Sequence, residues 1–171
     1  MKMQKLHNIK YKKYLINFFL IIFIFALDRL SKVYLLNLQE GGTDVDFYLF
    51  PFLNIYLVWN TGIGFGLFPA EVGFFYHFLT FIIVIINLVL IFFLFKFDII
   101  RSYFIAIILG GSFGNLFDRL YYFAVPDFID LHIGSFHWFI FNVADIFITF
   151  GVICLIFAEI LLKDNYKEKN A

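Results

Sequence analysis

"FNVADIFITF", residues 141–150, opens a run apolar enough to cross a membrane, yet it carries Asn142 and Asp145 one helical turn apart. An ionised side chain at that depth costs about 2.5–3.5 kcal/mol on insertion scales, so such residues mark a function or a specific partner. The rest of the chain shows the same tension. Of its 171 residues, 63% are hydrophobic and 15% charged, where a soluble domain has roughly 45–50% and about 25%. The expected fold class is all-α and integral to a membrane. No soluble domain, linker or low-complexity segment interrupts it, and residues 1–171 are expected to form a single membrane domain.

A bilayer core takes roughly 20 apolar residues as helix. Four segments qualify: 14–36, 74–95, 99–119 and 139–162. They leave two long connections, 37–73 and 120–138. Lysine and arginine placement orients the set. Lys2, Lys5, Lys10, Lys12 and Lys13 precede the first run, Lys96 and Arg101 flank the second turn, and Lys163, Lys167 and Lys169 follow the last run. Neither Lys nor Arg occurs between Lys32 and Lys96 or between Arg119 and Lys163. Both termini are therefore expected in the cytoplasm, with both long connections outside. The basic-then-apolar N-terminus lacks a small-residue cleavage site and runs into "LDRLSK", which favours a retained helix over a cleaved leader. Cys154 is the only cysteine, which rules out an intramolecular disulfide.

The first outer connection has structure of its own. "FLNIYLVWN" (52–60) is rich in β-prone residues. "GGTD" (41–44) and "TGIGFG" (61–66) bracket it as turns. A small extracytoplasmic β-sheet is expected between helices 1 and 2, with the loop over residues 37–68 closing across the site.

Three acids are expected at one depth. At about 1.5 Å of rise per residue, Lys13 to Asp28 is roughly 22 Å, Arg101 to Asp118 roughly 26 Å and Lys163 to Asp145 roughly 27 Å. "GNLFD" and "FNVAD" each place an asparagine three residues before an aspartate: Asn115 with Asp118, and Asn142 with Asp145. Residues three apart share a helix face. Two carboxylates meeting at that depth would not both ionise and would titrate as a unit. Such a pair suits an aspartic-protease mechanism, one group taking a proton from water and the other protonating a carbonyl. Pattern alone leaves alternatives open: a proton- or cation-coupled transporter using the same acids, or a scaffold whose Asn side chains are interhelical contacts. Asp28 and Lys32 are spaced as an ion pair, Asp127 and Asp130 as surface charges or caps. Gly110, Gly111 and Gly114 read as close-packing positions. His77, His132 and His137 lack metal-ligand spacing, and no phosphate loop or nucleic-acid patch is present.

In order, "LDRLSK" (27–32), "WNTGIGFGLF" (59–68), "GGSFGNLFDRL" (110–120), "VPDFIDLHIG" (125–134) and "FNVADIFITFG" (141–151) resemble signal peptidase II, the bacterial lipoprotein signal peptidases, over about residues 14–162. The resemblance implies a four-helix aspartyl protease of the bacterial inner membrane with a small β-cradle. It implies cleavage of prolipoproteins before a diacylglyceryl cysteine, no metal or organic cofactor, inhibition by cyclic peptides of the globomycin class, and a monomer in membrane lipid. Carried over, the catalytic pair is Asp118 and Asp145. Asn60, Asn115, Arg119 and Asn142 line the site, Asp28 and Lys32 match the first-helix motif, and Asp127 matches an acid of the second outer loop. The chain departs from the family pattern at Trp59, where many members have Arg, at Ile63–Gly64, where two alanines are common, and at Pro126, where a β-branched residue is usual.

Overall fold

In an apolar medium a backbone satisfies its own N–H and C=O groups as a helix, and the four apolar runs are helical. The computed structural model describes residues 2–62 and 73–168; side chains of residues 2, 3, 5–7 and 162–168 lie outside that description. The elements are α1 (Lys2–Glu40), β1 (Asp46–Phe50), β2 (Leu53–Asn60), α2 (Phe74–Lys96), α3 (Ile99–Tyr121), β3 (Val125–Ile133), β4 (Phe136–Phe141) and α4 (Val143–Glu168). Ile63 and Gly64, with most of the expected glycine-rich turn and the last residues of the expected lid, lie outside the described residues.

Among the described residues, three helices are long and apolar enough to cross a membrane: α2, α3 and the Val143–Leu161 part of α4. In α2 the mean hydropathy reaches 3.1 while only 17% of the apolar window is buried inside the molecule. A helix that is apolar all round needs apolar surroundings on every side. α1 is longer than expected. Its 39 residues span about 58 Å at the α-helical rise, continuing through the basic N-terminal segment and past residue 36.

α3 is the central helix, packed against α1, α2 and α4. Buried Ile105, Ala106 and Leu109 of α3 meet Leu94 of α2, with Leu20, Ile21 and Leu155 packed around them. A Cβ on Gly110 would lie 2.8 Å from Ile24 Cβ on α1, and one on Gly111 would lie 2.5 Å from the Ala144 carbonyl on α4. Real Cβ atoms do not come so close, so these glycines set how near the helices approach. The Lys13 ammonium donates to the Phe97 carbonyl at 2.6 Å and Arg101 pairs with Glu159 at 2.9 Å. The early part of α1, the α2–α3 turn and the later part of α4 therefore share one end of the bundle.

The sheet at the other end corrects the expectation. It is a four-stranded antiparallel sheet, order β1-β2-β3-β4. Only β1 and β2 come from the first long connection, while β3 and β4 come from residues 125–141, expected to be loop and the start of the fourth helix. That helix begins at Val143, not 139, because Phe136–Phe141 pair with β3. Pro126 and the acids hide β3, since both residue types are depleted in strands. Pro126 is tolerated because β4 pairs only with Ile129–Ile133, leaving β3 an edge on that side at Pro126. Phe128 on β3 joins Leu35 of α1 and Val45 in a second core beneath the sheet.

Gly111→Ala is expected to force α3 from α4, at a cost of about 1–3 kcal/mol. Thermal unfolding in detergent should show a lowered midpoint; an unchanged midpoint would contradict the close approach.

Candidate active site

The site begins with the start of α4. The first turn of any helix leaves backbone N–H groups without intrahelical partners. Here Asn142 Oδ1 accepts from the Asp145 amide, and Asp145 Oδ2 accepts from the Asn142 amide, both at 3.1 Å. This reciprocal pair is a capping box, with Asn in the hydroxyl's place and Asp three residues on. The Ala144 amide is satisfied from another helix: Asp28 Oδ1 on α1 accepts from it at 3.0 Å. Asn142 and Asp145 are one turn apart because together they start this helix.

The capping residues also face a cavity of about 230 Å³ lined by Asn60, Asn115, Arg119, Asp127, Asn142 and Asp145 on its polar side and by Ile83, Val125 and Ile148 on its apolar side. Asn142 Nδ2 donates to Asp127 Oδ1 at 2.6 Å, and Asn60 Nδ2 donates to Asp127 Oδ2 at 2.8 Å. Asn115 Nδ2 donates to Asp145 Oδ1 at 2.8 Å. Asp127 and Asp145 are therefore both held by Asn142, one through its side chain alone and the other also through its backbone. Burial first, and the charge of Asp145 second, push the Asp127 carboxyl up to about 7. Arg119 donates to the Gly62 carbonyl, its guanidinium lies 5.5 Å from the Tyr76 ring centre, and the Tyr76 hydroxyl donates to the Arg119 carbonyl at 2.7 Å. Its Nη1 is buried with no hydrogen-bond partner among the described residues.

Behind the cavity lies a charge cluster. The Lys32 ammonium is fully buried and donates to Asp28 Oδ2 at 2.9 Å, Asn115 Oδ1 at 2.9 Å and Asp118 Oδ2 at 2.7 Å. Arg29 Nη1 is ion-paired with Asp118 Oδ1 at 2.5 Å, and its guanidinium lies over Phe117. The Asp28–Lys32 pair is as the spacing indicated. The common depth of the three acids is also met: Lys32 joins Asp28 to Asp118, and Asp28 reaches the residue before Asp145.

Asp118 is not where the sequence pattern put it. Its carboxyl is fully buried, turned to α1 and occupied by Lys32 and Arg29, and it does not line the cavity. Lys32 and Asn115 link it to Asp145. The carboxylate that shares the cavity with Asp145 is Asp127, which the residue pattern treated as a surface charge. Arg29 was overlooked, although it stands three residues before Lys32 on the same helix face. Ser112 and Thr149 also line the cavity, and nothing in their spacing singled them out. Asn60, Asn115, Arg119 and Asn142 come together in the cavity, with Asp28 and Lys32 behind it.

Comparison with known proteins supplies the family. The family model described as Signal peptidase (SPase) II matches residues 20–161. The chain is 49% identical over 166 residues to the lipoprotein signal peptidase of Pelagibacter ubique (strain HTCC1062), covering 96% of this chain and 100% of that protein. It is 38% identical over 149 residues to the lipoprotein signal peptidase of Anaplasma phagocytophilum (strain HZ), covering 87% and 94%. A bacterial membrane enzyme solved by the in meso method superposes with a TM-score of 0.73 at 29% identity, over 91% of this chain and 92% of that one. With a full-length relative at nearly half identity and a family match across all four helices, this chain belongs to the signal peptidase II family.

Proposed function

We propose that this protein removes the signal peptide from diacylglyceryl-modified prolipoproteins, cutting just before the lipidated cysteine, by an aspartyl mechanism in which Asp127 and Asp145 are the acid–base pair. The family and the three apolar helices make it a multi-pass inner-membrane protease. The catalytic assignment rests on one observation: a single residue, Asn142, holds both carboxylates in one cavity.

The pair shares one proton, and Asp127 enters the cycle as the acid. Asp145 takes a proton from water while the water oxygen attacks the scissile carbonyl carbon. Asp127 gives its proton to the carbonyl oxygen, forming a tetrahedral diol. On collapse the C–N bond breaks, Asp145 protonates the leaving nitrogen, and Asp127 recovers a proton from a diol hydroxyl. One water is consumed, and one carboxyl and one amine are formed. Arg119 Nη1, without a partner among the described residues, is a donor for a substrate backbone carbonyl. Asn60, Asn115 and Asn142 position the carboxylates. Asp118, Asp28 and Lys32 fix the helices that carry them.

An apolar groove of about 400 Å³ along Phe139, Ile146, Phe150 and Ile153 also reaches Asp145, as an acyl-bearing substrate requires. In the arrangement we propose, α1 is a fourth span, both termini are cytoplasmic, and the sheet and cavity lie near the extracytoplasmic face. The chain works as a monomer, and a cyclic peptide of the globomycin class would block turnover by filling the cavity.

Asp127→Asn and Asp145→Asn are each expected to cut cleavage of a lipidated prolipoprotein by more than about 1,000-fold while the folded protein persists, since each is part of the acting unit. Asp118→Asn should instead lower the unfolding midpoint, because Lys32 and Arg29 are left with Asp28 as the one anion between them and breaking a buried pair costs about 3–5 kcal/mol, with turnover per folded molecule retained. An inactive but fully stable Asp118→Asn beside an active Asp127→Asn would reverse the assignment.

The pH profile follows from Asp127. Its acid form is the one required, so kcat/KM should fall as pH rises through about 7, by about tenfold per unit beyond that point. A rate that is flat from pH 6 to 9 would exclude Asp127 as the proton donor.

A further inference from the structure

The β3–β4 hairpin carries a second polar cluster that the proposed reaction does not use. Asp130 and His132, two residues apart on β3, rise from the same face of the sheet. His137 lies directly opposite His132 on β4. In sequence the two histidines give no metal-ligand spacing, and a regular hairpin would keep them apart. Leu131 pairs with Phe139, so an unbroken ladder would set His132 against Trp138 and turn His137 to the other face. The register shifts between Leu131 and His132, and this bulge re-aims His137 onto the face of Asp130 and His132. Gly134, at φ +60°, closes the turn that allows it.

The resulting geometry is that of a ligand set. One nitrogen or oxygen from each of Asp130, His132 and His137 lies within 4.8 Å of the others. Asp130 Oδ2 is 2.8 Å from His137 Nδ1 and 3.5 Å from His132 Nδ1. Donor atoms on tetrahedral zinc, at about 2.0–2.1 Å from the metal, are about 3.3 Å apart. The rings of His132 and His137 lie 5.4 Å apart and tilted, not stacked face to face.

His132 adds an independent observation. The residue is 4% exposed, Asp130 is 1% exposed, and His132 Nδ1 is buried with no hydrogen-bond partner among the described residues. If that nitrogen carries a proton, the donor goes unused beside a carboxylate already engaged by His137. If it does not, a lone pair faces an anion. A cation between the three groups resolves both cases. Asn54 stands across from Asp130 in β2, and its Oδ1 is also buried without a partner among the described residues, which places a fourth donor group, an oxygen, on the same face.

We infer that Asp130, His132 and His137 form a structural site for a divalent transition metal of the zinc class, clamping the hairpin that delivers Asp127 at one end and Asn142–Asp145 at the other. Two imidazoles and a carboxylate suit Zn²⁺ and Co²⁺ and not Mg²⁺, which demands oxygen octahedra. The site is separate from the cavity and takes no part in bond cleavage.

The test uses tag-free, full-length protein in detergent, stripped by a chelator and dialysed. Calorimetric titration with Zn²⁺ should give one equivalent bound, Co²⁺ should give visible absorption of a low-symmetry site, and Zn²⁺ but not Mg²⁺ should raise the unfolding midpoint. The His137 side chain is 55% exposed, so His137→Ala should fold normally. It should weaken Zn²⁺ binding by more than the about 10–100-fold typical of lost outer-shell partners, and should abolish the Co²⁺ bands. His132→Ala should do the same. No stoichiometric binding by the stripped protein, or binding that survives in His137→Ala and so belongs to His7 or His77, would overturn the inference. Neither result bears on Asp127 and Asp145, so the proposed protease activity stands or falls separately.

Discussion

The Lys32 ammonium, fully buried between Asp28, Asn115 and Asp118, is the constraint on which the rest of the bundle depends. A charge so placed is tolerated only with partners, and removing one partner leaves an uncompensated ion at about 3–5 kcal/mol. Lys32 therefore fixes α1 against α3 in both height and rotation. Asp28 then spends its other oxygen on the Ala144 amide, which sets the height of α4. The two anions of this cluster, Asp28 and Asp118, are matched by two cations, Lys32 and Arg29. The charged side chains lining the cavity are then Asp127, Asp145 and Arg119. Under the proposed function, these three groups of mixed sign, with one proton to place, are the reactive set, and the four behind them are a closed one.

Three asparagines translate that scaffold into a site, and each does so in the same way. Every one turns Nδ2 to a cavity carboxylate and Oδ1 to a donor: Asn60 accepts from the Gly62 amide, Asn115 from Lys32 and Asn142 from the Asp145 amide. The donor fixes which way the amide faces. An aspartate at any of these positions would set like charges together, and a leucine would leave a buried donor and a buried carboxylate unpaired. The start of α4 adds its own preference, since the N-terminus of a helix favours a negative charge in its first turn. Asp145 is there.

The sequence displays the helices, their ends and the pairing of Asp28 with Lys32, because hydropathy, basic residues and i,i+4 spacing are local properties. It also displays one strand, "FLNIYLVWN", whose β-branched and aromatic residues are contiguous. It does not display β3, where Pro126, Asp127 and Asp130 dilute the pattern, or the register that brings Asp127 to Asn60. The echo of "GNLFD" in "FNVAD" is real as a pattern, yet its two aspartates have different surroundings. The first sits within α3 and sends its aspartate to the cations of α1, and the second starts α4 and sends its aspartate to the cavity. Spacing along a helix shows which side chains share a face but not what lies across from it. Arg29 and Asp127 were obscured for that reason: Asp118, Asn60 and Asn142, which engage them, are on other elements.

The position of Asp145 also bears on why this chemistry is done in a membrane. It borders the polar cavity on one side and the apolar groove of Phe139, Ile146 and Phe150 on the other. A peptide bond drawn out of a helix within the bilayer exposes an amide and a carbonyl that lipid cannot satisfy. On the proposed function, the cavity offers a guanidinium nitrogen of Arg119, without a partner among the described residues, to the carbonyl and carboxylates to the amide. The groove offers hydrocarbon contact to whatever is attached beside that bond. A soluble peptide would gain from the first and nothing from the second, whereas a lipid-bearing one gains from both. On the function proposed above, selection for a lipidated substrate would need no group that recognises glycerol, only the adjacency of two cavities on either side of one carboxylate.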